Sequence, residues 1–205
     1  MARLAGALTC ALLLAPASAW AERLDSFVDA YTVPFTEFET ANVSSDGGFG
    51  VGARGRFAAT PEIFLQGEYQ LNSYDGFGSA NADGEATLLR AGVGFLTPGE
   101  GQVYALLEAV QLAVDIDGSA DTRESGYGIH LGMRGEGVSH LYGQVGFLDV
   151  GDVSGLEILF GGAYSFNALF GMFVEYRSTR LETGLGQETN LADLRVGLRM
   201  TFGAD

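Results

Sequence analysis

The feature that most constrains the fold is a strict alternation of apolar and polar residues that returns in one segment after another. In residues 193–202, for example, the apolar parity consists of Leu194, Val196, Leu198, Met200 and Phe202. Because successive side chains of a strand point to opposite faces, one face of this segment is wholly apolar and the other carries arginines. The apolar face must therefore meet either a protein core or lipid.

Ten segments carry a strand pattern, and clusters of Gly, Pro, Asp and Asn separate them. We predict strands near residues 26–40, 48–57, 62–74, 86–97, 102–115, 125–134, 140–149, 156–166, 169–180 and 191–202. No segment has a clear helical period, and no apolar run is long enough for a transmembrane helix. The sequence therefore predicts an all-β chain.

The predicted connections alternate between tight turns and longer polar links. AATPE and TPGEG are tight, whereas YDGFGSANADGE and DIDGSADTRE are longer and acidic. This alternation is typical of a bacterial outer-membrane barrel, in which short turns face the periplasm and longer loops face outward. We predict a single up-and-down antiparallel transmembrane β-barrel of about ten strands, with eight strands as the alternative. An even number places both termini on the periplasmic side.

Aromatic residues favour lipid over a soluble core as the partner of the apolar face. They gather where the predicted strands meet the tight turns, at Phe57, Phe64, Phe95, Tyr104, Phe166, Phe170 and Phe202. Aromatic rings at one level are typical of a membrane-interface girdle. The polar face is rich in Gly, Arg and Glu, which suits a crowded lumen better than a solvated surface. A soluble secreted β-protein is thus the less favoured alternative.

The N-terminus has the layout of a secretory signal peptide. Arg3 precedes a short apolar stretch, and small residues follow that suit cleavage after Ala19 or Ala21. We predict a signal peptide over residues 1–21 and an outer-membrane β-barrel over residues 22–205. The apolar stretch is too short to span a bilayer as a helix.

The last predicted strand ends in a pattern of polar-x-Gly-x-x-hydrophobic-x-aromatic, formed by Arg195, Gly197, Met200 and Phe202. This pattern matches the assembly signal of small outer-membrane β-barrel proteins of Gram-negative bacteria. The chain resembles their OmpA- and OmpX-like superfamily, including the barrel-only porin family type. The resemblance implies a location in the outer membrane, insertion by the outer-membrane assembly machinery, and contact with lipid and lipopolysaccharide. We expect a monomer.

The polar parity of the predicted strands carries charges of both signs. We predict that these form a network inside the barrel, made up of Arg54, Arg56, Glu68, Arg90, Glu108, Arg134, Glu157, Glu175, Arg177, Asp193, Arg195 and Arg199. Guanidinium groups bind carboxylates bidentately, so such pairs can link opposite walls and fill the bore. We favour a barrel with a filled lumen and a structural or surface-interaction role. A narrow passive channel for ions or small solutes is the alternative.

Enzymatic chemistry finds little support in the sequence. GVGARG (50–55) matches a dinucleotide-binding fingerprint, but a turn and another strand follow it where that motif needs a helix. No G-x-S-x-G motif occurs, and neither His130 nor His140 lies at the predicted outer rim, where substrate would arrive. Cys10 lies in the predicted signal peptide, so the mature protein has no cysteine chemistry. We predict no enzyme and no cofactor.

Net charge also limits the possible partners. The formal net charge is -15, and every basic residue is an arginine. Phosphate backbones need clustered cations, so nucleic acid is excluded as a partner.

One acidic link has the spacing of a calcium-binding loop. Asp115, Asp117, Ser119 and Asp121 fall at every second position, like the first ligands of an EF-hand. Ala120 stands where that loop needs glycine, so the match is partial. We favour loosely bound calcium or magnesium at the outer loops, among lipopolysaccharide phosphates, with a specific calcium site at these four residues as the alternative.

Deletion of residues 202–205 should impair membrane insertion and leave export intact, because the last strand carries the assembly signal and closes the barrel edge. The measurement is the amount of folded, protease-resistant protein in outer-membrane fractions. Deletion of residues 203–205 alone is the control, since it keeps Phe202. Wild-type levels of resistant protein after the longer deletion would contradict the assignment of the signal.

Overall fold

A computed structural model describes residues 26–40, 44–45, 47–77, 82–97, 102–116, 121–135 and 137–202. These residues form ten antiparallel strands that close into a barrel. The strands are β1 (Ser26–Thr40), β2 (Gly48–Ala58), β3 (Ile63–Phe77), β4 (Ala82–Leu96), β5 (Gln102–Ile116), β6 (Thr122–Arg134), β7 (Ser139–Val150), β8 (Val153–Ser165), β9 (Phe170–Thr183) and β10 (Glu188–Phe202). The predicted all-β, up-and-down barrel of ten strands is confirmed. The predicted signal peptide lies outside the described residues.

Each strand pairs with its neighbours in the chain, and β1 pairs with β10 to close the ring. In the closing pair, Val28 lies opposite Met200 and Asp29 lies opposite Arg199. Closure satisfies the backbone hydrogen bonds of both outermost strands, as a lipid environment requires. Within the described ranges, no helix is long and apolar enough to cross a membrane.

The two ends of the barrel differ less in loop length than the sequence predicts. We name the end that carries Ser26 and Phe202 the terminus end, and the opposite end the far end. At the far end, β4 begins at Ala82 and β8 begins at Val153, both earlier than predicted. Residues of the predicted links, such as Gly84 and Glu85, pair across strands instead of forming loops. The predicted alternation of short and long connections is therefore wrong, because the strands extend into the polar links.

Alternation along the strands separates two faces. An apolar belt of exposed side chains surrounds the barrel, with Val28, Val51, Leu65, Leu89, Leu107, Ile129, Val145, Ile158, Val174 and Leu198 contributed by the ten strands in turn. Leu198 is 65% exposed, whereas its neighbour Arg199 is 7% exposed. The predicted segregation of apolar and charged residues is confirmed. The apolar side chains lie on the outside and the charges lie inside.

The predicted aromatic girdle is only partly present. Phe57, Phe95, Phe166, Phe170 and Phe202 point outward near the terminus end and are exposed.

Phe64 and Tyr104 do not belong to the girdle, and the prediction is wrong for both. They are buried inside the barrel, where their rings pack edge to face at 5.7 Å. Phe64 has the parity of Glu68, and Tyr104 has the parity of Glu108, so both rings must face inward.

A bulge in β1 explains why that strand alternates poorly in the sequence. The register with β10 shifts between Thr32 and Phe35, so that one extra residue stands on the β1 side. Val33 and Thr36 both point inward, and Pro34 and Phe35 between them are exposed. Proline donates no backbone hydrogen bond, and bulges are among the few places in a sheet that tolerate it.

Gly146 lies directly opposite His130 on the neighbouring strand. A Cβ atom at Gly146 would lie 1.9 Å from the His130 Nδ1 atom, so Gly146→Ala should lower the free energy of unfolding by about 1–3 kcal/mol. Gly143→Ala in the same strand is the control, because the nearest atom to its Cβ would be the Leu159 carbonyl oxygen at 3.6 Å. Urea unfolding of the refolded barrel, followed by circular dichroism, measures both variants. Equal unfolding midpoints would contradict the packing argument.

Candidate functional site

The inward face brings together equal numbers of buried arginines and buried carboxylates. The arginines are Arg54, Arg56, Arg90, Arg177, Arg195 and Arg199, and the carboxylates are Asp29, Glu68, Glu108, Glu157, Glu175 and Asp193. We call this set the charged layer. Buried charges are costly unless they are paired and hydrogen-bonded, so pairing within this set supports the fold.

One part of the charged layer is centred on Arg90. Its Nη1 atom donates to Glu108 Oε1 at 2.9 Å and to Glu157 Oε1 at 2.8 Å, and Nη2 donates to the second oxygen of Glu157. The His130 Nε2 atom lies 3.0 Å from Glu108 Oε1, and the Thr179 hydroxyl donates to Glu157 at 3.0 Å. Arg90 on β4 and Glu157 on β8 thus join strands that lie four positions apart in the ring of ten.

A second part is centred on Glu68. Arg177 donates to both carboxylate oxygens of Glu68 at 2.9 Å, and Arg195 Nη1 donates to one of them at 2.9 Å. Arg195 also donates to Glu175 and to Asp193, each at 3.1 Å. Arg195 is fully buried, so its charge depends entirely on these three carboxylates.

A third part is centred on Asp29, which the sequence reasoning missed. Asp29 accepts hydrogen bonds from Arg54 at 2.9 Å and from Arg199 at 2.7 Å. Arg54 donates as well to Glu175 at 2.9 Å, which connects this part to the second. Asp29 lies opposite Arg54 on β2 and opposite Arg199 on β10, so strand pairing alone brings the three together.

Uncharged polar groups extend the charged layer toward the far end. The network predicted from the sequence did not include them. Gln70 donates to Asp193 at 2.8 Å, and Thr36 donates to the same carboxylate at 2.6 Å. Asn72 donates to the Thr36 hydroxyl and to the Tyr74 hydroxyl, both at 3.1 Å. Their parity in the strands is the signal that could have identified them.

Two of the predicted arginines, Arg56 and Arg134, lie in surroundings that differ from those of the other predicted charges. Arg56 is buried but pairs with the amide oxygen of Gln66 at 2.8 Å instead of a carboxylate. Its guanidinium carbon lies 4.3 Å from the ring centre of Phe64. Arg134, at the end of β6, is half-buried and lines the lumen near Arg56. The structure thus places all twelve predicted charges on the inner side of the barrel.

The charged layer separates two cavities in the lumen. The far-end cavity, of about 50 Å³, has mainly apolar walls that include Leu88, Val110 and Leu148. The terminus-end cavity, of about 30 Å³, is lined mainly by polar side chains. Arg90 and Arg177 line both, so they form the partition between the cavities.

Three buried side chains of the charged layer have the composition of a metal site. Donor atoms of Glu108, His130 and Glu157 lie within 4.8 Å of one another. However, Arg90 donates to an oxygen of each glutamate, and its guanidinium takes the place that a cation would need. The arrangement fits a salt bridge better than a metal centre.

The predicted calcium loop is described only at its ends. Asp115 lies near the end of β5 and Asp121 just precedes β6, and both are exposed. Asp117 and Ser119 lie outside the described residues. A loosely held cation there stays a prediction.

The residues of the predicted assembly signal lie on both faces of β10. Arg195 and Gly197 point inward, and Met200 and Phe202 are exposed on the outside. A Cβ atom at Gly197 would lie 2.6 Å from the Ala30 carbonyl oxygen of β1, so glycine permits close approach in the closing pair. The role of these four residues as an assembly signal stays a prediction.

A closed antiparallel barrel with an apolar belt outside and buried charges inside has the architecture of a transmembrane β-barrel. The fold therefore defines the class as a small outer-membrane β-barrel protein.

Solved structures of outer-membrane proteins are similar to this chain, and one of them, NspA, shows the same fold. Neisserial surface protein A (NspA) is 13% identical with a TM-score of 0.51, and the match covers 86% of this chain and 97% of that one. The COG4313 outer membrane channel from Pseudomonas putida F1 is 12% identical with a TM-score of 0.49, covering 92% and 100% of the two chains. OprG from Pseudomonas aeruginosa is 9% identical with a TM-score of 0.47, covering 90% and 99%. No protein-family model and no curated protein sequence matches the chain. At these identities the likeness shows the fold alone.

Glu157→Gln should lower the free energy of unfolding by about 3–5 kcal/mol, because it leaves the buried Arg90 without part of its counter-charge. Glu188→Gln is the control, since it removes an exposed partner of Arg180 and should cost at most about 1 kcal/mol. Urea unfolding of both refolded variants gives the comparison. Similar midpoints for the two would show that the lumen is hydrated and that its ion pairs contribute little.

Proposed function

We propose that the protein is a monomeric integral outer-membrane barrel with a structural or surface-interaction role and a lumen closed by the charged layer. The observation that carries the proposal is the bidentate pairing of Arg90 with Glu157 and of Arg177 with Glu68, which crosses the bore. Fork-to-fork pairs of this kind have fixed geometry as well as high strength. They hold opposite walls together where an open channel would hold water.

The apolar belt supports the proposed location. An apolar side chain at the belt position of every strand would be unfavourable in water, by roughly 25 cal/mol for each Å² left exposed. Aromatic residues such as Phe95 and Phe170 lie at the level expected for the lipid headgroups. We assign the terminus end to the periplasm, because the chain would enter the membrane from that side after export.

The far end then faces outward, toward lipopolysaccharide. Its rim carries exposed acidic residues, among them Asp115, Glu124 and Glu182. Calcium or magnesium ions held loosely between these carboxylates and lipopolysaccharide phosphates would favour contact with the outer leaflet. The proposed partners are therefore lipid, lipopolysaccharide and the assembly machinery that inserts the barrel. The proposed role is not enzymatic.

A narrow channel is the second candidate, and the two cavities favour it. Arg90 and Arg177 line both the far-end cavity and the terminus-end cavity. A shift of these two side chains would join the cavities into a path for ions or small solutes.

Planar-bilayer conductance of the refolded protein distinguishes the two functions. A closed lumen predicts little or no conductance in the wild type. The double variant Arg90→Ala/Glu157→Ala should conduct, because it removes both charges of one cross-barrel pair. Glu108 loses Arg90 as well and keeps His130 as its partner. The matched control is Arg180→Ala/Glu188→Ala, which removes an exposed pair at the far end and should stay closed.

A large, steady conductance of the wild type would overturn the closed lumen and favour the channel. The wild-type conductance distinguishes a closed lumen from a channel even if the double variant does not fold.

A further inference from the structure

The terminus-end cavity has an excess of positive charge on its walls. Six arginines line it: Arg54, Arg56, Arg90, Arg134, Arg177 and Arg199. Glu108 is the one carboxylate among the described lining residues, and it already pairs with Arg90 and His130. The carboxylates that pair with Arg54, Arg177 and Arg199 are not among the described residues that line the cavity. Arginine side chains therefore outnumber carboxylates on the cavity wall.

Arg56 contributes most directly to this excess. It is 8% exposed, and among the described residues no carboxylate forms a salt bridge with it. Its Nε and Nη2 atoms both donate to Gln66 Oε1, at 3.1 and 2.8 Å. A neutral amide satisfies two donors but leaves the charge without a counter-charge. An anion that reaches a buried cation without a counter-charge stabilises it strongly.

Aromatic rings hold Arg56 in place. Its guanidinium carbon lies 4.3 Å from the ring centre of Phe64, 4.9 Å from that of Tyr104 and 5.5 Å from that of Phe27. Cation–π contacts stabilise a guanidinium and restrict its orientation without neutralising its charge. The side chain is thus positioned before any ligand binds, which lowers the entropy cost of binding.

The cavity can be reached from the terminus end. Arg134 is the last residue of β6, next to a turn at that end, and it is half-buried. Gln66 is likewise half-buried and lines the same cavity. Solvent that contacts these two side chains is therefore adjacent to Arg56.

We infer that the terminus-end cavity is a binding site for a small oxyanion, held by Arg56, with Arg134 lining the same cavity. Guanidinium groups bind oxyanions through paired N–H donors, which suits phosphate and carboxylate alike. In Gln144 the carbonyl oxygen accepts from Tyr104 at 3.0 Å, which leaves the amide nitrogen of that side chain as a further donor. The site lies on the terminus side of Arg90 and Arg177, so an anion can bind whether or not the barrel conducts.

Titration of the refolded barrel with inorganic phosphate tests the site. Isothermal calorimetry is run at constant ionic strength with chloride as the balancing ion. We expect saturable binding of one phosphate per barrel and a rise in the thermal unfolding midpoint with phosphate concentration. Acetate in place of phosphate distinguishes the two sources of oxyanion, since a carboxylate site would bind acetate at least as tightly.

Arg56→Gln should weaken phosphate binding at least tenfold, because it removes the positive charge that no carboxylate neutralises. Arg180→Gln is the matched control: this arginine lies exposed at the far end, and its loss should leave binding unchanged. Arg134→Gln provides a second test if Arg56→Gln does not fold, and it should also weaken binding.

No saturable binding of either phosphate or acetate to the wild type would overturn the inference, as would equal affinities of the wild type and Arg56→Gln. Conductance reports separately on closure of the lumen. Failure of the anion site therefore leaves the proposed closed barrel standing, and failure of closure leaves the anion site standing.

Discussion

The structure depends on one constraint: charges inside a barrel of this width must neutralise one another. Ten strands enclose a bore in which side chains from opposite walls touch, so there is little water to solvate an isolated ion. Four of the six carboxylates, Asp29, Glu68, Glu157 and Glu175, lie within salt-bridge distance of two arginines each. Glu68 holds Arg177 and Arg195, and Asp29 holds Arg54 and Arg199. Sharing of this kind makes the charged layer a connected network that ties most of the strands together.

Glycine makes room for this network and for the aromatic rings beside it. A Cβ atom at Gly52 would lie 2.4 Å from the ring of Tyr31, and one at Gly94 would lie 2.0 Å from the ring of Phe64. Large side chains thus lie flat against bare backbone on the neighbouring strand. Part of the high glycine content of the chain, 31 residues, therefore reflects the lack of space inside a narrow barrel.

Much of the fold could be predicted from period-two alternation, because one residue of register decides whether a side chain meets lipid or lumen. The same parity places Arg90, Glu157 and Arg195 inside. It failed at Asp29, because the bulge at Pro34 reverses parity within β1 and makes that strand hard to interpret. It failed differently at Phe64 and Tyr104, where an expectation about aromatic girdles was given more weight than parity. Which arginine pairs with which carboxylate depends on side-chain reach across the bore, and strand patterns carry no such information.

The sharing of carboxylates also limits how the sequence can change over time. Replacement of Glu68 alone would leave two arginines short of a counter-charge, so its loss becomes tolerable only together with a second change at Arg177 or Arg195. Belt positions such as Leu107 and Ile129 touch lipid and can exchange one apolar side chain for another independently. Among related barrels, the outer face should therefore drift residue by residue. The lumen should change through correlated substitutions on strands that are distant in the ring.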